Sequence, residues 1–297
     1  MIGSSKLVQT TPAVDMITTE TPNMKITVAS GKGGTGKTTV AVNFFLSVPK
    51  TSLLDCDVEE PNSNLFLHND LEKVKEVTIP VPVIDEQKCE HCGKCADFCN
   101  YNALAALPQK VMVFSDLCHG CGGCSLVCPN DAISETGRNI GNIERSFSGQ
   151  FHTGLLNIGE AMASPLIKEL KNYAGENTVI MDAPPGTACP MITTVEDTDY
   201  CILVTEPTPF GLNDLKLAAE VVREMKIPAG VVINRAGVGD GGVEEYCQQT
   251  GLPIIMEIPY DRRIAEAYSE GIPFVETMPQ WKDKFLQMFE TIKEAVR

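Results

Sequence analysis

VASGKGGTGKTTVAVNFF, residues 28–45, passes from an apolar run through a glycine-rich turn into a helical pattern. Gly31, Gly36, Lys37 and Thr38 satisfy the phosphate-cradling spacing G-x-x-x-x-G-K-[ST]. Glycines let backbone N–H groups converge on phosphate, and the start of the following helix adds partial positive charge. Gly33, Gly34, Thr35, Gly36, Lys37, Thr38 and Thr39 are therefore the expected cradle, with Lys37 on the β/γ-phosphates and Thr38 on Mg2+. A ligand-free turn is the bland alternative, and the strand–loop–helix context argues against it. The spacing requires one lysine, yet Lys32 supplies a second directly after the first glycine.

Outward from this stretch, short apolar runs alternate with helical patterns, as in a parallel sheet covered on both faces. Strands are expected at 24–30, 51–55, 154–158, 178–182, 200–205, 230–234 and 254–258, nearly all apolar like buried parallel strands. Helical spacing falls at 38–48, 164–174, 211–226, 243–250 and 262–270. The expected fold is α/β, a mostly parallel sheet with helices on both faces. The alternation stops near Pro80-Val81-Pro82 and resumes at about 135–150, so residues 80–134 read as a small domain inserted into a surface loop, dividing the larger domain into 24–79 and 135–297. The first 23 residues, rich in Thr, Ser and Pro without a period, read as a mobile leader.

Two acidic segments stand where a phosphate site needs them. LLDCDVEEPN places Asp55 and Asp57 at the carboxyl end of a strand, the edge where open α/β sheets bind ligands. VIMDAPPG places Asp182 beside a Pro-Pro-Gly turn. Asp182 is the candidate for Mg2+ and Asp57 for positioning or activating water. Strand-ending Asp residues also serve turns, which is the competing explanation for each segment taken alone.

Twelve cysteines are counted, eight of them between Cys89 and Cys128. CEHCGKCADFC, 89–99, and CHGCGGCSLVC, 118–128, both have the spacing C-x2-C-x2-C-x3-C of bacterial two-cluster ferredoxins, in which the fourth cysteine serves the other cluster. This assigns Cys89, Cys92, Cys95 and Cys128 to one 4Fe-4S cluster and Cys118, Cys121, Cys124 and Cys99 to the other. The insert is thus expected to be ferredoxin-like α+β. Asn100 follows Cys99 where the pattern prefers proline. Zinc is the rival ligand, disfavoured because zinc sites usually take paired C-x2-C groups. A cluster that only holds a small insert together is a second alternative. Cys201 and Cys247 sit in apolar patterns and read as packing residues.

KGGTGKT, with lysine at both ends, together with the D-x-D and D-x-P-P-G segments, resembles the deviant Walker group of P-loop ATPases. That group includes the MinD and ParA positioning ATPases, the Mrp-type iron-sulfur carriers and the nitrogenase iron protein. The resemblance implies ATP hydrolysis, ATP and Mg2+ as ligands, and a role for Lys32 on phosphates bound by a partner chain. Lys32, Lys37 and Asp57 are then the catalytic residues of a homodimer, or of a heterodimer with a related ATPase. It also implies that Asn234, in GVVINRAG, and Pro259, in IPYDRRI, approach adenine. Cys189 corresponds to a cysteine with which the nitrogenase iron protein holds a cluster between subunits, but Glu160 stands near where the second such cysteine would fall.

A formal charge of -15 argues against nucleic acid or an anionic membrane as partner. There is no run of about 18 apolar residues to span a bilayer and no apolar signal stretch, so the expected location is the cytoplasm. Trp281, Phe285, Met288, Phe289 and Ile292 share one helical face, which reads as packing on the sheet rather than membrane binding. The functional expectation is an ATP-dependent dimer joined to two clusters, for gated electron delivery to a partner protein or for metallocofactor assembly or transfer. A positioning or scaffold ATPase with redox-sensing clusters is the alternative.

Overall fold

The computed structural model describes residues 22–297. The leader expected over 1–23 lies outside the described residues but for its last two. Among the described residues the chain forms one nine-stranded sheet and a two-stranded ribbon.

The chain enters through β1 (Lys25–Ala29), turns through the glycine loop into α1 (Lys37–Ser47), and returns in β2 (Thr51–Asp55). A short α2 (Asn64–Leu67) leads to a long strand, β3 (Leu71–Ile84). The cysteine-rich segment follows, with α3 (Lys94–Phe98), the ribbon β4 (Leu104–Leu107) and β5 (Lys110–Val113), and α4 (Gly123–Leu126). The chain comes back along β6 (Ile133–Ser146) into β7 (Phe151–Leu156), α5 (Ala163–Lys171), β8 (Thr178–Asp182) and α6 (Cys189–Val195). The last part alternates β9 (Tyr200–Thr205), α7 (Pro209–Glu224), β10 (Ala229–Ala236), α8 (Gly242–Thr250) and β11 (Ile254–Pro259). It closes with α9 (Arg262–Ser269), α10 (Phe274–Thr277) and α11 (Gln280–Val296).

Strand order is β11-β10-β9-β1-β8-β2-β7-β6-β3. The seven strands from β11 to β7 pair in parallel, and they are the seven expected from sequence. Strand alternation divides their side chains between two layers. Ile26, Val28, Leu53, Ile180 and Ile202 pack with α1 and α11 on one face, while Ala29, Val179, Met181, Cys201 and Leu203 pack with α5 to α8 on the other. Trp281, Phe285, Met288, Phe289 and Ile292 of α11 are all buried in the first layer, as their spacing requires. Among the described residues no helix is long and apolar enough to cross a membrane.

The departure from expectation is at the edge. β3 and β6 are antiparallel over their whole length, from Leu71 opposite Ser146 to Ile84 opposite Ile133, and together form an arm continuous with the sheet. Pro80-Val81-Pro82 does not end the sheet pattern. β3 is the edge strand, where a missing N–H costs no ladder bond, and Val77, Ile79 and Val81 turn inward between exposed Thr78, Pro80 and Val83. The strand therefore passes through residue 80 without a break, and the helices and ribbon sit at the arm's tip, between Ile84 and Ile133.

Candidate nucleotide site and thiolate pair

The loop between β1 and α1 gains its shape from glycine. Gly34 (φ 80°) and Gly36 (φ 91°) are left-handed, which a side chain rarely adopts, and Gly36 caps α1. Gly36 is fixed from outside as well: a Cβ there would meet Asn234 Nδ2 at 2.3 Å. That amide donates to the carbonyl of Thr35 at 2.8 Å, so Asn234 braces the cradle from β10.

Lys37 opens α1 and is buried. Its Nζ lies 2.7 Å from Asp182 Oδ1 and 3.8 Å from Asp57 Oδ2, which brings three sequence-predicted residues together at the carboxyl ends of β2 and β8. Burial opposes the charge on Lys37, and Asp182, Asp57 and Asp55 more than offset it, leaving its pKa above the ordinary lysine value. Burial likewise pushes Asp57 up to about 6, against the pull of Lys37. Asp55, wholly buried, is raised by burial and by the charge of Asp182. Its oxygens accept from the backbone N–H of Asp57, Asn62 and Ser63, so Asp55 shapes the 57–63 loop rather than facing the cradle.

Among the described residues, Asp182 Oδ2 and the buried Thr35 hydroxyl have no hydrogen-bond partner. A fully buried carboxylate oxygen left unmatched beside Lys37, with the Thr38 hydroxyl at the start of α1, is a donor set that suits Mg2+ with phosphate. Beyond Asp182 the Pro-Pro-Gly turn returns to the cradle, Gly186 N–H donating to Ser30 O at 3.0 Å, and delivers Cys189, exposed, to the first turn of α6.

Gly34, Gly36, Thr39, Asn234 and Pro259 border one cavity of about 330 Å3, closed by Tyr260, Ile264 and Tyr268. Its size and apolar wall suit a nucleobase. A larger groove of about 700 Å3 between α7 and α8 is lined by exposed Lys216, Arg223 and Lys226 at the amino ends of β9 and β10. It carries no glycine loop or buried carboxylate, and the chemistry lies at the opposite edge.

Lys32 does not face Lys37 within its own chain. Its Nζ is 3.8 Å from Asp214 Oδ2 on α7, and both side chains are partly exposed. Asp214 escaped the sequence reading because a helical Asp among polar neighbours carries no motif. Glu160 forms an ion pair with Arg138 of β6 instead of meeting Cys189. Cys201 and Cys247 are buried, and burial raises their thiols to about 12 and about 11, as inert packing residues require.

At the arm's tip the eight clustered cysteines are free thiols that divide between two cavities. Cys89, Cys92, Cys95 and Cys128 line one, and Cys99, Cys118, Cys121 and Cys124 the other. The two halves repeat each other's backbone. Residues 91 and 120, 93 and 122, and 102 and 131 all have positive φ, and Cys95 and Cys124 lie in the first turns of α3 and α4. Backbone N–H groups of Gly120 and Ala132 point at Cys118 Sγ (3.4 Å) and Cys128 Sγ (3.3 Å). Among the described residues no three Cys, His, Asp or Glu side chains converge closely enough to hold a single metal ion.

An uncharacterized protein of Methanocaldococcus jannaschii is 35% identical over 262 residues, covering 85% of this chain and 92% of its own length. An iron-sulfur cluster carrier protein of Pyrococcus horikoshii is 27% identical over 295 residues, covering 92% and 86%. The fold is similar to that of the septum site-determining protein MinD complexed with Mg-ADP, from the same Pyrococcus, with TM-score 0.54, 20% identity, and 91% and 95% coverage. The CobQ/CobB/MinD/ParA nucleotide binding domain family matches residues 26–274, and the chain, a P-loop ATPase distantly related to iron-sulfur cluster carriers, belongs to it.

Proposed function

We propose that this chain is a dimerising ATPase that gates electron delivery through two 4Fe-4S clusters held at the tip of the β3–β6 arm. The observation that carries the reading is the partition of eight cysteines into two cavities of four. That partition matches the ligand exchange between half-motifs expected of a two-cluster ferredoxin. Each set joins three cysteines of one half to one of the other, a spacing that suits a ferredoxin cluster better than the paired C-x2-C groups of a zinc site.

Cys95, Cys118 and Cys124 are buried in apolar surroundings. Ligands built into a core suit a resident group, so electron delivery is favoured over handing a cluster on. Such a group, when bound, supplies one-electron storage. The chain's own residues do the rest. Lys37 and the α1 N-terminus hold the phosphates, Thr38 and Asp182 hold Mg2+, Asp57 orients water, and Asn234 with Pro259 borders the base. Lys32 leaves Asp214 and reaches the phosphates of a partner chain, so hydrolysis requires two chains.

Anaerobic purification with iron and sulfide quantification tests the cluster assignment, and dithionite-reduced spectra with and without ATP test the gating. About eight irons per chain are expected. Zinc in place of iron, or iron unaffected by loss of all eight cysteines, contradicts it. Transfer of the clusters to an apo-acceptor would replace electron delivery with carriage.

A further inference from the structure

The two thiolate sets share a backbone plan but not an environment. Two positions related by the repeat decide the difference. One residue after the first cysteine stands Glu90 in one half and His119 in the other. Two residues after the last cysteine stands Asn130 in one half and Tyr101 in the other. All four border the cavities, so the Cys89 set has Glu90 and Asn130 at its wall, and the Cys118 set has His119 and Tyr101. The two rings lie 3.7 Å apart, centroid to centroid, at 7°. Both side chains are themselves exposed, so the stacked pair is an aromatic plate on the solvent side of the cavity wall. Asn130 instead turns its amide to the carbonyl of Lys88.

The sets also differ in what lies behind them. Cys118 is buried against the apolar core formed by Val77, Ile79 and Val81 of β3 with α5, and Cys99 packs against the same core. Cys89 and Cys95 of the other set pack instead in a smaller apolar cluster at the tip, with Leu104, Val111 and Cys124. The Cys118 set is therefore the inner one, nearer the sheet, with the aromatic pair at its wall, and the Cys89 set is the outer one, farther along the arm, though each keeps one exposed cysteine, Cys121 and Cys92.

Resting on the cluster reading above, we propose that the inner set, Cys99, Cys118, Cys121 and Cys124, holds the lower-potential cluster, and that Tyr101 and His119 are the positioning residues that keep it so. Reduction adds one negative charge to a group already surrounded by four thiolates. Excluding water raises the cost of that charge and lowers the potential, since solvent exposure is one of the levers on such groups. The first electron taken up from a soluble reductant then resides at the outer set, the one farther from the sheet.

The experiment is an anaerobic reductive titration of the full chain followed by electron paramagnetic resonance, with Cys92→Ser and Cys121→Ser marking which signal belongs to which set. The expected result is two separate steps, outer set first. Tyr101→Ala raises the inner potential and narrows the gap, Tyr101→Phe restores it, and Asn130→Ala leaves the inner step where it was. Coincident steps, inner-first reduction, or a gap indifferent to Tyr101→Ala overturns the inference while leaving the cluster assignment intact. A chain that binds no iron overturns both.

Discussion

Lys32 Nζ lies 3.8 Å from Asp214 Oδ2 of its own chain, with the two side chains 35% and 24% exposed. A pair this open contributes about 0–1 kcal/mol, so releasing Lys32 to a better anion costs little. Lys32→Ala should lower ATP hydrolysis at least about 100-fold, as removal of a trans-acting cation does, while one chain still binds ATP. Equilibrium binding alongside steady-state turnover checks both. Retained turnover counts against the crossing role.

Lys37 has the opposite setting, since it is buried and holds Asp182, which is wholly buried, at 2.7 Å. Lys37→Met should abolish nucleotide binding and cost about 3–5 kcal/mol of stability, the penalty for stranding a buried carboxylate. Replacing the stranded acid as well, in Lys37→Met/Asp182→Asn, should restore much of the stability by chemical denaturation. A double variant no more stable than Lys37→Met would show that Asp182 is not the stranded group.

The proton on Asp57 sets a pH dependence. Burial raises this carboxyl to about 6, so an Asp57 that must be ionised to orient water is disabled as pH falls through that value. Turnover should drop below pH 6, with Mg-ATP saturating. The stability sign runs the other way. Folding strengthens proton binding at Asp57, so its contribution is greatest below about pH 4, the ordinary carboxyl range, and is lost as pH rises through about 6. Thermal denaturation of wild type against Asp57→Asn between pH 4 and 7 measures that difference.

Asn234 braces the cradle rather than only bordering the base, through its 2.8 Å bond to Thr35 O. Asn234→Ala removes one hydrogen bond, worth about 1 kcal/mol, and should weaken ATP and ADP binding together by about five- to tenfold. Gly36→Ala should be worse, because its Cβ would meet Asn234 Nδ2 at 2.3 Å and its φ of 91° is strained for alanine. Titration calorimetry separates the two. An Asn234→Ala chain that discriminates against adenine but holds phosphate normally would return the residue to the base.

The parallel strands were legible because most are buried on both faces and so nearly all apolar, as TVIMD and YCILVT are, while the outermost, IIMEIP, is half-exposed but keeps a short apolar run. The arm was not, for the reverse reason. LEKVKEVTIPVPVI, the edge strand, and ISETGRNIGNIERS beside it are half-exposed, and their charges and prolines mask the alternation of Val77, Ile79 and Val81. In the site, Lys37, Asp57 and Asp182 were legible because the chemistry fixes their spacing or strand position. Asp214 and the aromatic plate of Tyr101 and His119 were not, since both depend on which distant residues the fold brings together. Asp55 shows a limit of another kind: residue type and strand end were right, but its oxygens are taken by the loop backbone.

The most direct measurement of the central claim is the rate at which the fully reduced chain gives electrons to a soluble one-electron dye, followed by rapid mixing with ATP, with ADP and without nucleotide. Coupling of about 1–3 kcal/mol between the nucleotide site and the arm predicts a rate with ATP that differs by about five- to 150-fold from the other two, and loss of that difference in Lys32→Ala. Equal rates in all three conditions, with both clusters present and ATP being hydrolysed, would contradict it.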